Sequence, residues 1–583
     1  MKNLLIVVIL FITQVLYPQQ NEKWITYFEK SNFKGTPDYA KSMEYFQKLS
    51  EFSGFAKLET FGISPQGREL KVLIVSKDKK FTPVKFSDRE KPVVLIVNGI
   101  HSGEIEGKDA SMLLLREILV TKEKENLLDS LNLLVVPIFN VDGHERKSKY
   151  NRINQNGPEE MGWRTTAQNL NLNRDWLKAD APEMQAMLKL YAKWLPDFLI
   201  DTHTTDGADY QYTITYAVEK FANIDNGLAK MLKEKFMPFV DNKVREKGFL
   251  IHQYIGRREY AKGLDGGITD WAATPRFSQG YAAVQNRPGL LIETHMIKPY
   301  KDRVYSTKAL LEATLGFVNS NSSLLLNLNR NADKNSIRKY ALKKDYLPVK
   351  FKTDDSYVLS DFKGYDYYWD TSFVSGTKKL VYTKNKKDLK LKFYNNVITT
   401  DSVKLPNVYL IPKEWNKLVK IMKLHGIFVV ESVGDSVQEV TRYRFKNVNF
   451  AQFPYEGRQT VDFDYDTYQE KLTVPAGTFY VPTNQRTVKV IANFLEPKSD
   501  DSFVRWGFLN TTFERKEYFE NYVMEKLAAE MLAANPELKK EFETKLKNDE
   551  DFRKSPQKRL NFFYERTPYF DNHYRVYPIM RIN

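Results

Sequence analysis

The sequence contains no cysteine among its 583 residues. Disulfide bonds, thiol catalysis and cysteine-bound zinc are therefore excluded. Histidine is also scarce, with seven residues in the chain, and no apolar run beyond the N-terminus is long enough to cross a bilayer. Any metal site in this chain has to be built from histidine and carboxylate side chains, and few histidines are available for it.

The formal net charge is +15, but the lysines and arginines are spread along the chain. Nucleic-acid binding is typically marked by a basic stripe on one face or one arm, and the sequence has no such stripe. It also has no glycine-rich phosphate loop and no RNA-binding signature. We therefore predict no nucleic-acid partner.

The chain starts MKNLLIVVILFITQVLYPQQ, in which one lysine precedes an apolar stretch from Leu4 to about Leu16. Such a stretch is short for a membrane span and is typical of a secretory signal. We predict a signal peptide over 1–20, an exported protein in the periplasm or outside the cell, and no stable membrane insertion after cleavage. An uncleaved membrane anchor is the alternative.

Short apolar runs and helical patterns alternate between about 21 and 330. The runs that are rich in Val, Ile and Leu lie at 70–76, 92–99, 131–140, 197–203 and 289–295. They predict buried strands, and helical patterns at 107–120 and 182–195 separate some of them. This order predicts a catalytic α/β domain over 21–330, with a mostly parallel sheet covered on both faces.

The remainder of the chain has a different texture. Residues 331–350 are polar and basic and are predicted to be a linker. Short alternating segments with glycine and proline turns predict a β-rich accessory domain over 351–495, followed by a helical and aromatic C-terminal region over 496–583. Packing is the favoured role for these regions, with a lid or a binding module as alternatives.

Ligand-type side chains follow three of the predicted strands. His101 and Glu104 come directly after one strand, His203 closes another, and Glu293 lies near the end of a third. In open α/β sheets, ligands bind outside the carboxyl ends of the strands. Two imidazoles and a carboxylate form a catalytic zinc set that leaves one position open. Buried polar residues without a metal are the alternative, because an isolated His-x-x-Glu is weak by itself.

The segment 154–180 is long, without clear periodicity, and contains candidate cations. Arg164 and Arg174 are the strongest of these, because arginine binds carboxylates bidentately and stabilises an oxyanion beside a metal. Surface ion pairs are the alternative for any arginine. We predict that Arg146 and Arg152 form such surface ion pairs.

Taken together, these motifs resemble the zinc carboxypeptidases, the metallocarboxypeptidase family related to pancreatic carboxypeptidases. The motifs that carry the resemblance are His101-Ser102-Gly103-Glu104, Trp163-Arg164, Asn173-Arg174-Asp175-Trp176, His203, Gly266-Gly267 with Asp270-Trp271, and Glu293. They cover about residues 40–320. The resemblance implies an α/β/α sandwich with a mixed, mostly parallel sheet.

The resemblance also implies a metal centre and its chemistry. His101, Glu104 and His203 would hold one Zn²⁺. Glu293 would be the general base toward a zinc-activated water, and then the acid toward the leaving amine. Arg164 would polarise the scissile carbonyl and hold the oxyanion.

Substrate recognition follows from the same resemblance. Asn173 and Arg174 would bind the terminal carboxylate of a peptide substrate. Together with the predicted signal peptide, this implies an exported, zinc-dependent metallocarboxypeptidase that hydrolyses C-terminal peptide bonds. One alternative is a zinc amidase of the same superfamily that acts on cell-wall peptides or small acyl-amino acids. A second alternative is a non-catalytic binding protein on a peptidase scaffold.

Three positions depart from the family pattern. Asn171 stands where the family has an aspartate that orients a zinc-bound histidine. Lys262 stands where the family has a tyrosine that folds over the substrate, and we expect the nearby Tyr260 to substitute for it. Thr269 is neutral, which argues against an acidic pocket for lysine or arginine side chains at that point.

Overall fold

The computed structural model describes residues 22–583. The predicted signal peptide over 1–20 lies outside the described residues. Within 22–583, none of the helices combines the length and the apolar character needed to span a bilayer.

The N-terminal half of the described chain is built around one large sheet. The strands of this half of the chain are β1 (Ala56–Ile63), β2 (Glu69–Val75), β3 (Val93–Asn98), β4 (Asn132–Val136), β5 (Phe198–Thr205), β6 (Ile214–Val218), β7 (Ile251–Gln253), β8 (Gly256–Arg257), β9 (Ile268–Thr269) and β10 (Gly289–His295). Eight of them form a sheet in the order β1-β2-β4-β3-β5-β10-β6-β7. The centre, β4-β3-β5-β10, is parallel. The pairs β1-β2, β2-β4 and β10-β6 are antiparallel, and β7 pairs in parallel with β6. The predicted mixed, mostly parallel sheet is confirmed.

Helices cover both faces of this sheet. They are Tyr27–Lys30, Tyr39–Phe52, Glu106–Leu119, Val141–Glu145, Pro182–Trp194, Asn226–Met231, Met237–Glu246, Ser278–Val284, Tyr300–Ser320 and Ser322–Ser336. Alternate residues of β3 show the two-sided burial: Val94 and Ile96 belong to one hydrophobic cluster, and Leu95 to the other. A strand buried on both faces has no polar face, which explains its unbroken apolar sequence.

The C-terminal half adds ten strands and a second group of helices. The strands are β11 (Leu347–Thr353), β12 (Val358–Thr371), β13 (Lys378–Tyr394), β14 (Val397–Val403), β15 (Val408–Ile411), β16 (Val430–Glu431), β17 (Ser436–Phe450), β18 (Val461–Val474), β19 (Phe479–Pro482) and β20 (Met580–Ile582). The helices are Asn416–Leu424, Val488–Leu495, Asn521–Ala534, Pro536–Asn548, Glu550–Lys554 and Pro556–Tyr564. Strands β16-β19-β15-β20-β17-β18 form a six-stranded sheet.

The segment 331–350, predicted as a linker, has regular structure over most of its length. It contains the end of the helix Ser322–Ser336, a π-helical segment Ile337–Leu342, and the beginning of β11. The domain boundaries drawn from the sequence remain predictions.

The two halves of the chain share a core and a sheet. One hydrophobic cluster contains Leu95 and Leu199 of the central sheet together with Tyr409 and Ile411 of β15. Strand β13 also pairs in parallel with β9, so that the β12–β13 hairpin and the short strands β8 and β9 form a single four-stranded sheet. The C-terminal half therefore packs directly against the half that carries the candidate site.

We expect Ile411→Ala to destabilise the folded chain. The Ile411 side chain is completely buried in the shared cluster, and removing buried methyl groups from such a site lowers the free energy of unfolding by about 2–5 kcal/mol. The control Ile398→Ala changes a side chain that is 42% exposed and should shift it by less than about 0.5 kcal/mol. Urea unfolding followed by tryptophan fluorescence measures both, and equal shifts would contradict the shared core.

Candidate active site

The site begins where β3 ends. Gly99 has φ +66°, a left-handed conformation that favours glycine, and the turn that follows carries His101 and Glu104 just before the helix Glu106–Leu119. His203 lies near the end of the adjacent β5, and Glu293 of β10 is its register partner. Neighbouring strands thus deliver the four predicted side chains to one edge of the sheet.

Three of these side chains form a compact metal-binding set. Glu104 Oε2 lies 3.2 Å from His101 Nδ1 and 3.0 Å from His203 Nδ1, and the two Nδ1 atoms are 3.2 Å apart. All three side chains are buried. Two imidazole nitrogens and a carboxylate oxygen that converge in this way match the donor set of a zinc site with an open position. The residues present therefore fit one zinc ion.

The outward nitrogen of each histidine has its own oxygen partner. His101 Nε2 lies 3.0 Å from Asn171 Oδ1, and His203 Nε2 lies 2.7 Å from Asp201 Oδ2. An Nε2–H that donates to oxygen leaves the Nδ1 lone pair directed into the site, as metal ligation requires. Burial lowers the pKa of His101 to about 4, so that its imidazole is neutral at pH 7.

Two arginines contact the other carboxylate oxygen of Glu104. Arg152 Nη2 and Arg164 Nη1 lie 2.9 and 3.0 Å from Glu104 Oε1. Burial by itself would raise the pKa of Glu104, but the guanidinium of Arg152 beside it holds that pKa well below its usual range. Glu104 is therefore ionised and ready to bind a cation.

The prediction that Arg152 forms a surface ion pair is wrong. Its side chain is only 14% exposed and crosses Gly103 so closely that a Cβ at that position would lie 2.3 Å from Arg152 Cδ. Arg146 is exposed, but it packs over the ring of Trp163 at 4.3 Å and forms no ion pair within residues 22–583. Nothing in the local sequence separates the two arginines, because the contact with Glu104 is made across 48 residues.

A cleft of about 470 Å³ opens above the metal-binding set. Its other lining residues are Arg152, Arg164, Asn173, Arg174, Thr204, Thr205, Asp206, Tyr254, Trp271, Phe277, Gln279, Leu291 and Glu293. The Arg174 guanidinium packs over the ring of Phe277 at 4.4 Å, and its Nη1 donates to the carbonyl oxygen of Asn173 at 2.7 Å. Within residues 22–583, Arg174 forms no ion pair with a carboxylate. The cleft therefore offers a cation to an anionic ligand.

The sequence model of the family described as zinc carboxypeptidase matches residues 42–303. The chain contains a zinc carboxypeptidase domain. This domain is that of a zinc metallocarboxypeptidase, which is a hydrolase. The one zinc ion that the family binds corresponds to the ion that His101, Glu104 and His203 could hold here.

Three known proteins illustrate the similarity. Carboxypeptidase 2 of Trichophyton tonsurans is 23% identical over 469 residues, which cover 76% of this chain and 79% of that protein. Inactive metallocarboxypeptidase ECM14 of Saccharomyces cerevisiae is 31% identical over 121 residues, which cover 19% of this chain and 27% of that protein. The crystal structure of carboxypeptidase A from Helicoverpa armigera is 17% identical, with a TM-score of 0.35, and covers 51% of this chain and 74% of its own.

Glu293 of the carboxypeptidase domain is a buried carboxylate with a free oxygen. Within the described residues, its Oε2 has no hydrogen-bond partner. Burial raises the pKa of Glu293 to about 8, against a lowering influence of His203. An unpartnered carboxylate oxygen at this depth is costly unless a ligand or an ion completes it, which again fits a site that binds a cation.

The tyrosine in the cleft of the carboxypeptidase domain is Tyr254 rather than the predicted Tyr260. Tyr260 is 79% exposed and does not line the cleft, and the guanidinium of Arg257 lies 3.5 Å from the centre of its ring. Tyr254 packs edge-on against Trp271 with ring centres 5.5 Å apart, and burial raises its pKa. Counting along the loop misses Tyr254 because β8 (Gly256–Arg257) lies between it and Tyr260.

We expect the purified protein to hold about one zinc ion per chain, and His203→Ala to lose it. His203 supplies one of three ligands, so its removal leaves a two-ligand site that does not retain the ion through dialysis. The control His573→Ala changes an exposed histidine and should keep full zinc content. Atomic absorption measures the metal, and circular dichroism checks folding. Full zinc retention by folded His203→Ala would contradict the ligand set.

Proposed function

We propose that the enzyme is an exopeptidase that removes C-terminal residues from peptides with a free carboxylate. The observation that supports this most strongly is the half-buried Arg174 on the wall of the cleft, which has no acidic partner among residues 22–583. A guanidinium in this state favours a bidentate contact with a carboxylate. With Asn173 beside it, Arg174 would fix the chain terminus and thereby select the last peptide bond.

Zinc, when bound by His101, Glu104 and His203, would supply a Lewis acid that polarises the scissile carbonyl and acidifies a water molecule. We assign the proton transfers to Glu293. Its buried Oε2 has no partner within the described residues. A cation bound beside it would lower its raised pKa, and the ionised carboxylate could then accept a proton from the attacking water. The same carboxyl group would then return the proton to the nitrogen of the leaving amine.

Arg164 is assigned to the developing oxyanion. Its side chain is 41% exposed and lines the cleft, and only its Nη1 is engaged by Glu104. The remaining N–H groups of the guanidinium are available to substrate. A fixed donor of this kind stabilises negative charge that appears only in the transition state, which is the property that raises the reaction rate.

We also propose that the enzyme is exported to the periplasm or the extracellular space. The support is the short apolar stretch after a single lysine at the start of the sequence, which is typical of a secretory signal. A protein without cysteine also has no thiol that could be oxidised outside the cytoplasm.

The proposed reaction predicts stepwise loss of C-terminal residues from a mixed peptide library. Mass spectrometry after incubation with the zinc-loaded protein would show this ladder, whereas Glu293→Gln should be slower by at least about 100-fold because it cannot accept the proton. Equal zinc content in the two proteins is the control. If the zinc-loaded protein cleaves only acyl-amino acids or cell-wall peptides, the zinc amidase is the better assignment, and no cleavage of any substrate would favour a binding role.

Arg174→Gln should separate recognition of the terminal carboxylate from the chemistry. Hydrogen bonds to a charged group contribute about 1.5–3 kcal/mol, so kcat/KM on a peptide with a free C-terminus should fall by roughly 10- to 150-fold. On the C-terminally amidated peptide the variant and the wild type should differ little. Arg338→Gln, at an exposed position, is the matched control. An equal loss on both peptides would contradict the assigned role.

A further inference from the structure

The hairpin formed by β17 and β18 ends in a tight turn at the edge of the active site. Tyr455 and Arg458 exchange backbone hydrogen bonds of 2.8 and 3.1 Å, and the two residues between them, Glu456 and Gly457, have φ +50° and +78°. Two positive φ values are the mark of a type I′ turn, whose first central position favours asparagine, aspartate or glycine. Glutamate in the left-handed region is strained, and such strain often accompanies a function of the side chain.

This turn is fixed against the segment that carries Asn171 and Arg174. Arg458 Nε donates to Asp180 Oδ2 at 2.7 Å, and the Arg458 guanidinium lies 3.4 Å from the ring centre of Phe508. On the other side of the turn, the ring of Tyr455 stacks on Trp506 with an angle of 11° between the planes. The position of Glu456 is therefore determined by contacts on both sides of it.

From this position Glu456 contacts Asn171, the side chain that holds the metal ligand His101. Asn171 Nδ2 donates to Glu456 Oε1 over a long distance of 3.5 Å. The Asn171 Oδ1 atom accepts from the His101 Nε2–H group and from the backbone N–H of Asn173, both at 3.0 Å. A chain of hydrogen bonds thus runs from a carboxylate of the C-terminal half to the imidazole of His101.

We propose that Glu456 is a positioning residue for the metal ligand His101. The inference rests on the proposed zinc site. A neutral amide is a weaker partner for imidazole than a carboxylate, but an amide that donates to an anion is polarised and accepts more strongly. Glu456 thereby supplies, through Asn171, the negative charge that Asn171 itself lacks. It also favours the orientation of the amide that keeps Oδ1, and not Nδ2, against His101 Nε2.

The test uses the full-length protein and two substitutions at one position. Glu456→Asn removes the carboxylate but suits the type I′ turn, so the unfolding temperature of the zinc-free protein should be unchanged or higher. Its zinc Kd, measured by competition with a chelating dye, should nevertheless rise by about 10-fold, the lower end for a group that orients a ligand indirectly. Glu456→Gln should weaken zinc binding similarly.

Glu439→Gln is the matched control, because it removes one exposed charge from the same hairpin and should leave the zinc Kd unchanged. In an Asn171→Asp background the carboxylate faces His101 directly and also faces Glu456. Here Glu456→Gln should tighten zinc binding by relieving like-charge repulsion, which is the opposite of its effect in the wild type.

Unchanged zinc Kd values in folded Glu456→Asn and Glu456→Gln would overturn the inference, as would an equal loss in both backgrounds. Failure of the wild-type protein to bind zinc would instead refute the proposed function. The absorption spectrum of the cobalt-substituted protein is a second readout that a purely structural role would not change. It should shift in Glu456→Asn, because the donor strength of His101 changes.

Discussion

The buried carboxylate of Glu104 is the group around which the active site is organised. An ionised carboxylate removed from water is destabilised by several kcal/mol unless charges and hydrogen bonds compensate it. Here Oε1 is engaged by Arg152 and Arg164, and Oε2 accepts a hydrogen bond from the backbone N–H of Thr204 in β5. The end of β3, the loop that carries the arginines, and β5 therefore have to meet at one point.

A second layer of contacts orients the side chains that would bind the metal ion. Asp201 and Asn171 hold the outward nitrogens of the two histidines, so that the inward nitrogens carry lone pairs. Glu293, whose Oε2 has no partner in the described part of the chain, and Arg174 then line a cleft in which a metal ion and a substrate carboxylate would each find a complementary group. Metal binding and substrate binding thus use separate charges that do not neutralise one another.

The C-terminal half contributes to this layer as well as to the fold. It shares a hydrophobic cluster with the central sheet, and its β17–β18 hairpin contacts Asn171 and Asp180. A hairpin whose sequence indicates only strands and turns therefore contacts Asn171, the side chain that holds His101.

The sequence by itself determined the fold class and the residues of the metal-binding set. Unbroken apolar runs predict strands buried on both faces, and the carboxyl ends of parallel neighbours fall at one edge, which brings His101, His203 and Glu293 together. Only the tertiary structure decided that Arg152 contacts Glu104, that Tyr254 lines the cleft, and that Glu456 lies beside Asn171, 285 residues away. Periodicity and turn chemistry are local signals, whereas these contacts depend on how separate segments pack against one another.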